Sequence, residues 1–235
     1  MPTDSPAPGA GPAATSSGRV TARAGPATTP PNPVTAPSGR AATPPRAADA
    51  RSVAELTAFA ARGARVKYLP FWGHRPQRDG SIGSGCLSQW WPAPFTVDGV
   101  AYATAEHWMM AGKARLFADA DAERRVLSAG HPKAAKSVGR SVRGFDEAVW
   151  RRERFALVTE GSVHKFGQHP DLRAFLLGTG QRVLVEASPV DRVWGIGLAA
   201  DDERANRPDA WRGLNLLGFA LMEARARLAA GVGPA

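Results

Sequence analysis

Three residues carry side chains suited to proton transfer or covalent chemistry: Glu106, Lys113 and Asp191. Glu106 and Lys113 are seven residues apart in a segment with helical character, so nearly two turns place them on almost the same face. Met110 lies between them on that face. A carboxylate and an amine on an apolar face lose solvation, and their pKa values shift toward the range useful in catalysis. The alternative is that Glu106 complements the helix dipole while Lys113 extends to solvent.

Asp191 lies in a glycine-containing turn, residues 191–197, that follows an apolar strand segment and includes Trp194. Loops after strand ends often carry functional residues. Glycine lets a ligand approach the backbone closely, and an indole face can stack on a base. The structural alternatives are an Asx turn for Asp191 and a core position for Trp194.

Other types of site are excluded by residue spacing. The five histidines form neither an HExxH motif nor an i,i+4 pair, and Cys86, the single cysteine, has no catalytic motif around it. The glycines of residues 73–85 match neither a P-loop nor a dinucleotide-binding pattern. We therefore predict no metal and no cofactor.

The charge of the chain points to an anionic ligand. Its net charge is +9, and most of the basic residues are arginine, whose guanidinium group matches phosphate oxygens with two hydrogen bonds. A phosphate, a nucleotide or nucleic acid would suit such a chain. A solvated basic surface without a specific ligand is the alternative.

The composition changes sharply near residue 50. Residues 1–50 contain no aromatic residue, no leucine and no isoleucine, and they hold 11 of the 20 prolines. Such a segment cannot bury enough apolar surface to offset its chain entropy, so we predict a disordered arm before one folded domain, residues 51–235. No apolar run is long enough to span a bilayer, and we expect a cytoplasmic protein without a membrane partner.

The elements that must position the candidate residues are mostly helical. Ser52 and Glu55 form a capping-box pattern, Asp98-Gly99 predicts a hairpin, and Thr104 and Asn215 are expected N-caps. The predicted strands are residues 65–72 and 182–187, and the predicted helices include 105–117, 120–129, 132–141, 146–161, 171–177 and one after 215. This pattern predicts an α+β fold, a mostly helical single domain around a small β-sheet.

Taken in order, the segments resemble the NADAR family, also called YbiA-like, over residues 66–229. The segments that carry the resemblance are Leu87-Ser88-Gln89, Ala105-Glu106-His107-Trp108, Lys113-Ala114, Lys136-Ser137-Val138-Gly139-Arg140, Trp150, Lys165-Phe166, Leu184-Val185-Glu186-Ala187, Asp191, Trp194-Gly195-Ile196-Gly197 and Gly213-Leu214-Asn215-Leu216. The sequence departs from the family pattern in two places that bear on the choice of substrate. Gln89 stands where the family commonly has asparagine, and a long glycine-rich loop precedes it.

The resemblance implies an N-glycosidase that acts on N-glycosides of ribose phosphates. One branch of the family hydrolyses ribosylaminopyrimidine phosphates of the riboflavin pathway, and another removes ADP-ribose from guanine in nucleic acid. The catalytic residues implied here are Glu106, Lys113 and Asp191. The implied substrate-binding residues are Trp150, Trp194, Ser88, Arg140 and Asn215.

Two mechanisms follow from these assignments. In one, Glu106 and Asp191 divide proton transfer and stabilisation of the oxocarbenium-like centre, while Arg140 or Arg143 holds the 5-phosphate. In the other, Lys113 captures C1 of the opened ribose as a Schiff base. The competing interpretations are a non-catalytic module that binds ADP-ribose or nucleic acid, and a purely structural domain.

Overall fold

A computed structural model describes residues 46–233 of the chain. The disorder predicted for residues 1–45 concerns a part of the chain outside the described residues. The predicted boundary at residue 50 is corrected, because Ala47–Asp49 forms a 3-10 turn and Ala47 and Ala50 are buried in the core. Alanine side chains are small enough to pack closely against the rest of the domain, which therefore includes residues 46–50.

Helices dominate the described part of the chain, as the α+β prediction requires. No helix within residues 46–233 is both long enough and apolar enough to cross a membrane. In chain order the elements are α1 (Val53–Ala60), β1 (Tyr68–Phe71), β2 (Phe95–Val97), β3 (Val100–Tyr102), α2 (Ala105–Leu116), α3 (Ala120–Leu127), α4 (Pro132–Arg140), α5 (Glu147–Gln168), α6 (Pro170–Gly178), β4 (Val183–Glu186) and α7 (Leu216–Ala229).

The four strands form two separate pairs instead of one small sheet. Strands β1 and β4 are parallel, and Phe71 is the register partner of Glu186. Strands β2 and β3 form the predicted hairpin, in which Asp98 and Gly99 both have positive φ, 49° and 76°. Because β1 and β4 are parallel, their carboxyl ends lie at the same edge, where α/β folds commonly place ligands.

Helix α5 is longer than predicted and passes through Gly161. The glycine does not end the helix because its role is packing: a Cβ atom there would overlap the indole of Trp108. The Trp108 indole nitrogen also donates to the carbonyl oxygen of Leu157 at 2.8 Å. Close contact between α5 and α2 thus fixes the position of the helix that carries Glu106 and Lys113.

The start of α2 differs in detail from a simple N-cap. Thr104 occupies the N-cap position, but its hydroxyl pairs with the His107 ring nitrogen at 2.8 Å and makes no hydrogen bond to the backbone of the helix. The other ring nitrogen of His107 pairs with the carbonyl oxygen of Ala129 at 2.9 Å. These buried contacts hold the first turn of α2, which includes Glu106.

Candidate active site

Glu106 lies in the first turn of α2 and is 2% exposed. Its Oε1 atom is buried and has no hydrogen-bond partner within residues 46–233. Burial raises the pKa of the Glu106 carboxyl to about 7, an effect that Asp191 reinforces and that Lys136 and the indole of Trp90 oppose. A carboxyl with this pKa exchanges its proton near neutral pH, which is the property required of a general acid.

A second carboxyl, that of the partly buried Glu186, ends β4 at the same site. Burial, reinforced by the nearby charges of Asp191 and Glu106 and opposed by Lys136, raises its pKa to about 8. Its Oε2 atom has no partner in the described part of the chain. Glu186 was not among the site residues predicted from the sequence. The signal available was a charged residue that ends the apolar run Val183–Val185 shortly before Asp191.

Asp191 completes a group of three carboxylates. Its Oδ1 atom accepts hydrogen bonds from the backbone nitrogens of Val193 and Trp194, both at 2.8 Å. This is the Asx turn named as an alternative, and it does not use the second carboxylate oxygen, Oδ2, for which residues 46–233 supply no hydrogen bond. Because Asp191 raises the pKa of both glutamates, the three side chains act as one electrostatic unit.

Three cations surround the carboxylates. Lys136 and Arg140, one turn apart on α4, both lower the pKa of Glu106. Arg154 lies buried on α5 near Asp191, and its Nε atom has no hydrogen-bond partner among the described residues. A site with buried acids and cations on its walls suits a substrate that carries both a phosphate and a leaving group to be protonated.

Arg143, the other arginine considered for binding the 5-phosphate, is already paired with two aspartates. Its guanidinium forms ion pairs with Asp119 at 2.7 Å and with Asp121 at 3.0 Å. Its backbone nitrogen also donates to Asp119. Arg143 therefore closes the loop before α5 against α3, and Arg140 is the arginine of this pair placed beside Glu106.

Lys113 lies farther along the same face of α2, about 10 Å from Glu106 if measured as helix rise. Its Nζ atom donates to the carbonyl oxygen of Gly139 at 2.8 Å. The ammonium group lies over the rings of Phe145 and Trp150, 4.0 and 5.5 Å from their centroids. Burial lowers the pKa of the Lys113 amine, while Glu147 opposes the shift. Lys113 and Trp150 therefore form a second, aromatic end of the candidate site.

The structure adds Trp90 to the expected tryptophans. The Trp90 ring lies beside Glu106, with the ring of His74 at 5.7 Å and that of His131 at 5.9 Å between centroids. Trp194 is half-buried, and its backbone nitrogen fixes the carboxylate of Asp191. The indole that affects the pKa of Glu106 is thus Trp90, which was not among the tryptophans expected in the site.

Ser88 positions the loop that carries Trp90. The Ser88 hydroxyl accepts from the Trp90 backbone nitrogen at 3.1 Å, and its carbonyl oxygen accepts from Lys165 Nζ at 2.8 Å. Lys165 is fully buried, donates also to the carbonyl oxygen of Cys86 at 2.6 Å, and has a pKa lowered by burial to about 7. Its role is to hold the backbone beneath Gln89, whose carbonyl oxygen accepts from the Glu106 nitrogen at 3.0 Å.

Asn215, expected among the substrate-binding residues, is fully buried behind the site. Its side-chain oxygen accepts from the Glu186 nitrogen at 3.0 Å, and its side-chain nitrogen donates to the carbonyl oxygen of Leu184 at 2.9 Å. It occupies the N-cap position of α7 with positive φ but makes no side-chain hydrogen bond to that helix. With both amide groups bonded to β4, Asn215 positions Glu186 and is not free to bind a ligand.

No group of three or more histidine, cysteine, aspartate or glutamate side chains within residues 46–233 has an arrangement that could hold a metal ion. The carboxylates of the candidate site instead face Lys136 and Arg140. The arrangement supplies an acid with a pKa near 7, two further carboxylates and fixed cations. These groups suit the hydrolysis of a bond whose leaving atom needs a proton.

Comparison with known proteins identifies similar chains. Residues 70–229 match the family model described as the NADAR domain. N-glycosidase R617 of Acanthamoeba polyphaga mimivirus is 41% identical over 165 residues, 68% of this chain and 95% of that protein. N-glycosidase YbiA of Escherichia coli K12 is 32% identical over 136 residues, 58% of this chain and 76% of that protein. The NMR structure of E. coli YbiA superimposes with a TM-score of 0.54 at 27% identity, covering 72% of this chain and 88% of that one.

Proposed function

The chain belongs to the NADAR domain family, and from that premise we propose that it is an N-glycosidase that hydrolyses the C1–N bond of an N-riboside. The family and the fold expected from the ordered motifs are confirmed. The observation that carries the proposal is the convergence of Glu106, Glu186 and Asp191, in which both glutamates have raised pKa values, beside Lys136 and Arg140.

The chemistry of the bond explains why such a site is suitable. As the C1–N bond breaks, the departing nitrogen needs a proton and positive charge develops at C1. Glu106, with a pKa of about 7, supplies the proton to the nitrogen. The carboxylate of Asp191 stabilises the charge at C1 and accepts a proton from the water that forms the new C1–O bond. Asp191 then releases its proton to solvent and Glu106 takes one up, so both carboxyl groups return to their starting states.

The Lys113 route is the second mechanism compatible with the arrangement. The Lys113 amine would attack C1 of the opened ribose, the base would leave as the amine, and water would hydrolyse the resulting imine. Its support is the lowered pKa of Lys113, which increases the fraction of free amine, and the aromatic walls of Phe145 and Trp150. The two routes place C1 at opposite ends of the α2 face.

The substrate class that fits is a nucleotide-type small molecule whose ribose carries a phosphate. Lys136 and Arg140 provide cations on one side of the carboxylates, and a guanidinium binds a phosphate with two hydrogen bonds. The two specific candidates are a ribosylaminopyrimidine phosphate and an ADP-ribosylated guanine in nucleic acid. Gln89, in place of the usual asparagine, lies beside Glu106. The effect of replacing Gln89 should therefore be compared between these two substrates.

The test is to incubate the purified protein with each candidate substrate and to measure the free base released. We expect release from one of them, and a fall in turnover of about 100-fold or more for Glu106→Gln. Glu153→Gln, a change on the exposed face of α5, is the matched control. Binding of these ligands without base release would support the non-catalytic module instead, and an unchanged rate in Glu106→Gln would remove Glu106 from the mechanism.

A further inference from the structure

A cavity of about 640 Å³ lies at the end of the β1/β4 pair opposite to the carboxylates. Residues 66–67 and 181–182, which come just before β1 and β4, line it. The two strands are parallel and Glu186 ends β4, so the length of the strands, about 13 Å for four residues, separates the cavity from the candidate active site. The volume of the cavity lies within the range of small-molecule binding pockets, and the proposed reaction does not use it.

The cavity carries an excess of positive charge. Within residues 46–233, the side chains of Arg65 and Lys67 form no ion pair and no hydrogen bond. The Arg182 guanidinium donates to two backbone carbonyl oxygens, at 3.0 and 2.9 Å, and not to a carboxylate. Asp49 lies 3.8 Å from Arg46, but no acidic residue is among the described residues that line the cavity. The four basic residues that line it are Arg46, Arg65, Lys67 and Arg182.

A fifth cation lies behind two of the lining residues. Arg225, on α7, is 6% exposed, and its guanidinium donates to the Thr179 hydroxyl at 2.7 Å and to the carbonyl oxygen of Arg182 at 2.9 Å. Both acceptors are uncharged. Burial, reinforced by the charges of Arg51 and Arg182 and opposed by Asp49, lowers the pKa of Arg225 to about 10. Cationic neighbours therefore destabilise the charged arginine here, and a bound anion would offset that repulsion.

The cavity also has an apolar side. Phe59, on α1, and Val66 line it, are partly buried and pack against the hydrophobic core, and the buried Ala47 lines it as well. An aromatic ring and aliphatic side chains favour an apolar ligand group, whereas several converging cations favour a doubly charged oxyanion. The cavity therefore has the chemistry to bind a small molecule that carries both an aromatic group and a phosphate.

The segment that precedes Arg46 does not match the cavity in charge. Residues 1–45 contain three arginines and one aspartate, with no lysine and no glutamate. That segment is itself cationic, so the charge of the cavity repels it. An anion from outside the chain is the occupant with complementary charge.

We propose that this cavity is a second ligand site, separate from the carboxylate site, and that it binds a small aromatic phosphate. Arg65 and Lys67 bind the phosphate oxygens, and the aromatic group of the ligand packs against Phe59. The proposal does not rest on N-glycosidase activity, because none of the residues assigned to the candidate active site lines the cavity.

A proton–nitrogen correlation NMR titration of the full chain with phenyl phosphate tests the site without any turnover. Inorganic phosphate and benzyl alcohol each carry one half of the chemistry of this probe and serve as comparison ligands. We expect phenyl phosphate to bind at least about tenfold more tightly than either of them. The largest changes in chemical shift should occur at the amides of Lys67 and Gln181, which line the cavity.

Variants of the lining residues show which groups bind the probe. Arg65→Gln and Lys67→Gln should each weaken the binding of phenyl phosphate about threefold or more, because each removes a cation from an exposed position without disturbing the core. Arg62→Gln is the matched control, since Arg62 is also exposed but does not line the cavity, and it should leave the affinity unchanged. Phe59→Leu keeps an apolar side chain but removes the aromatic ring, so it should weaken the binding of phenyl phosphate and not that of inorganic phosphate.

The position of the bound probe separates this site from the candidate active site. Binding that persists in Arg140→Ala, with shift changes at Lys67 and Gln181, supports the second site. Shift changes confined to the carboxylate site, or an affinity that Arg65→Gln and Lys67→Gln both leave unchanged, overturn it. Equal affinity for phenyl phosphate and inorganic phosphate overturns the aromatic phosphate as its ligand. Release of base by a protein that binds no probe in the cavity overturns this proposal and leaves the proposed N-glycosidase function intact.

Discussion

Replacement of Glu186 by glutamine should make the stability of the protein less dependent on pH. The native carboxyl has a pKa of about 8, whereas an unfolded glutamate ionises near 4.5. Between these values the unfolded chain releases its proton and the native protein keeps it, so a rise in pH favours unfolding. The loss of stability begins near pH 4.5 and is complete above about pH 8.

The size of the effect follows from the shift. Each pKa unit corresponds to about 1.4 kcal/mol, so the difference between about 8 and 4.5 sets an upper bound of about 5 kcal/mol for Glu186. The charges of Glu106 and Asp191 contribute to that shift, so the part of it that Glu186 alone would show is smaller. We therefore expect Glu186→Gln to abolish at least about 2 kcal/mol of the pH-dependent loss.

Urea unfolding at pH 5.0 and 8.5, followed by tryptophan fluorescence, measures this difference without a substrate. A constant cost of burying the glutamine amide cancels when the two pH values are compared within one variant. Lys165 has a pKa lowered to about 7 and changes stability in the opposite direction, but it does so equally in both proteins. Glu153→Gln is the control. Equal pH dependence in wild type and Glu186→Gln would refute the conclusion that the folded protein holds Glu186 as a neutral acid near pH 7.

Three further predictions concern the remaining residues. Borohydride added during turnover should trap a covalent adduct on wild type but not on Lys113→Ala if Lys113 is the nucleophile, and equal labelling of both would refute that route. Steady-state kinetics should show that Arg140→Ala raises KM about tenfold, because a phosphate contact is lost. Arg143→Ala should leave KM unchanged, since Arg143 pairs with acids of α3; equal KM increases in both variants would contradict this assignment. Asn215→Ala should lower the free energy of unfolding by about 2–4 kcal/mol in a urea titration, because it removes two hydrogen bonds and leaves buried β4 backbone groups unpaired; a loss below about 1 kcal/mol would show that this pairing contributes little.

Local sequence patterns predicted most of the helices and the hairpin. Ser52 accepts a hydrogen bond from the Glu55 nitrogen at 3.2 Å, as the capping-box pattern requires, and Asp98-Gly99 forms the turn between β2 and β3. The failure at Gly161 has a clear cause. A glycine that ends a helix and one that admits a neighbouring tryptophan look the same in sequence, and only the packing of α5 on Trp108 distinguishes them.

The candidate site was predicted in part for a similar reason. Helical spacing placed Glu106 and Lys113 on one face, and the position of Asp191 in the turn after a predicted strand indicated it as a candidate. Glu186 was missed because a strand residue has no local feature that indicates its burial or its neighbours. The role of Asn215 was also missed, since its two hydrogen bonds join it to a strand about 30 positions earlier in the chain.

The sequence by itself determined which elements form and which ordered motifs place the chain in its family, because capping, periodicity and turn chemistry act over a few neighbouring residues. Tertiary structure alone decided which titratable groups share one environment. Glu106 lies in α2, whereas Glu186 and Asp191 lie at and just after the end of β4, and the raised pKa values of the two glutamates arise from burial and from the charges of their neighbours. Desolvation and electrostatic coupling depend on distance in space, so neither exists until the chain has folded.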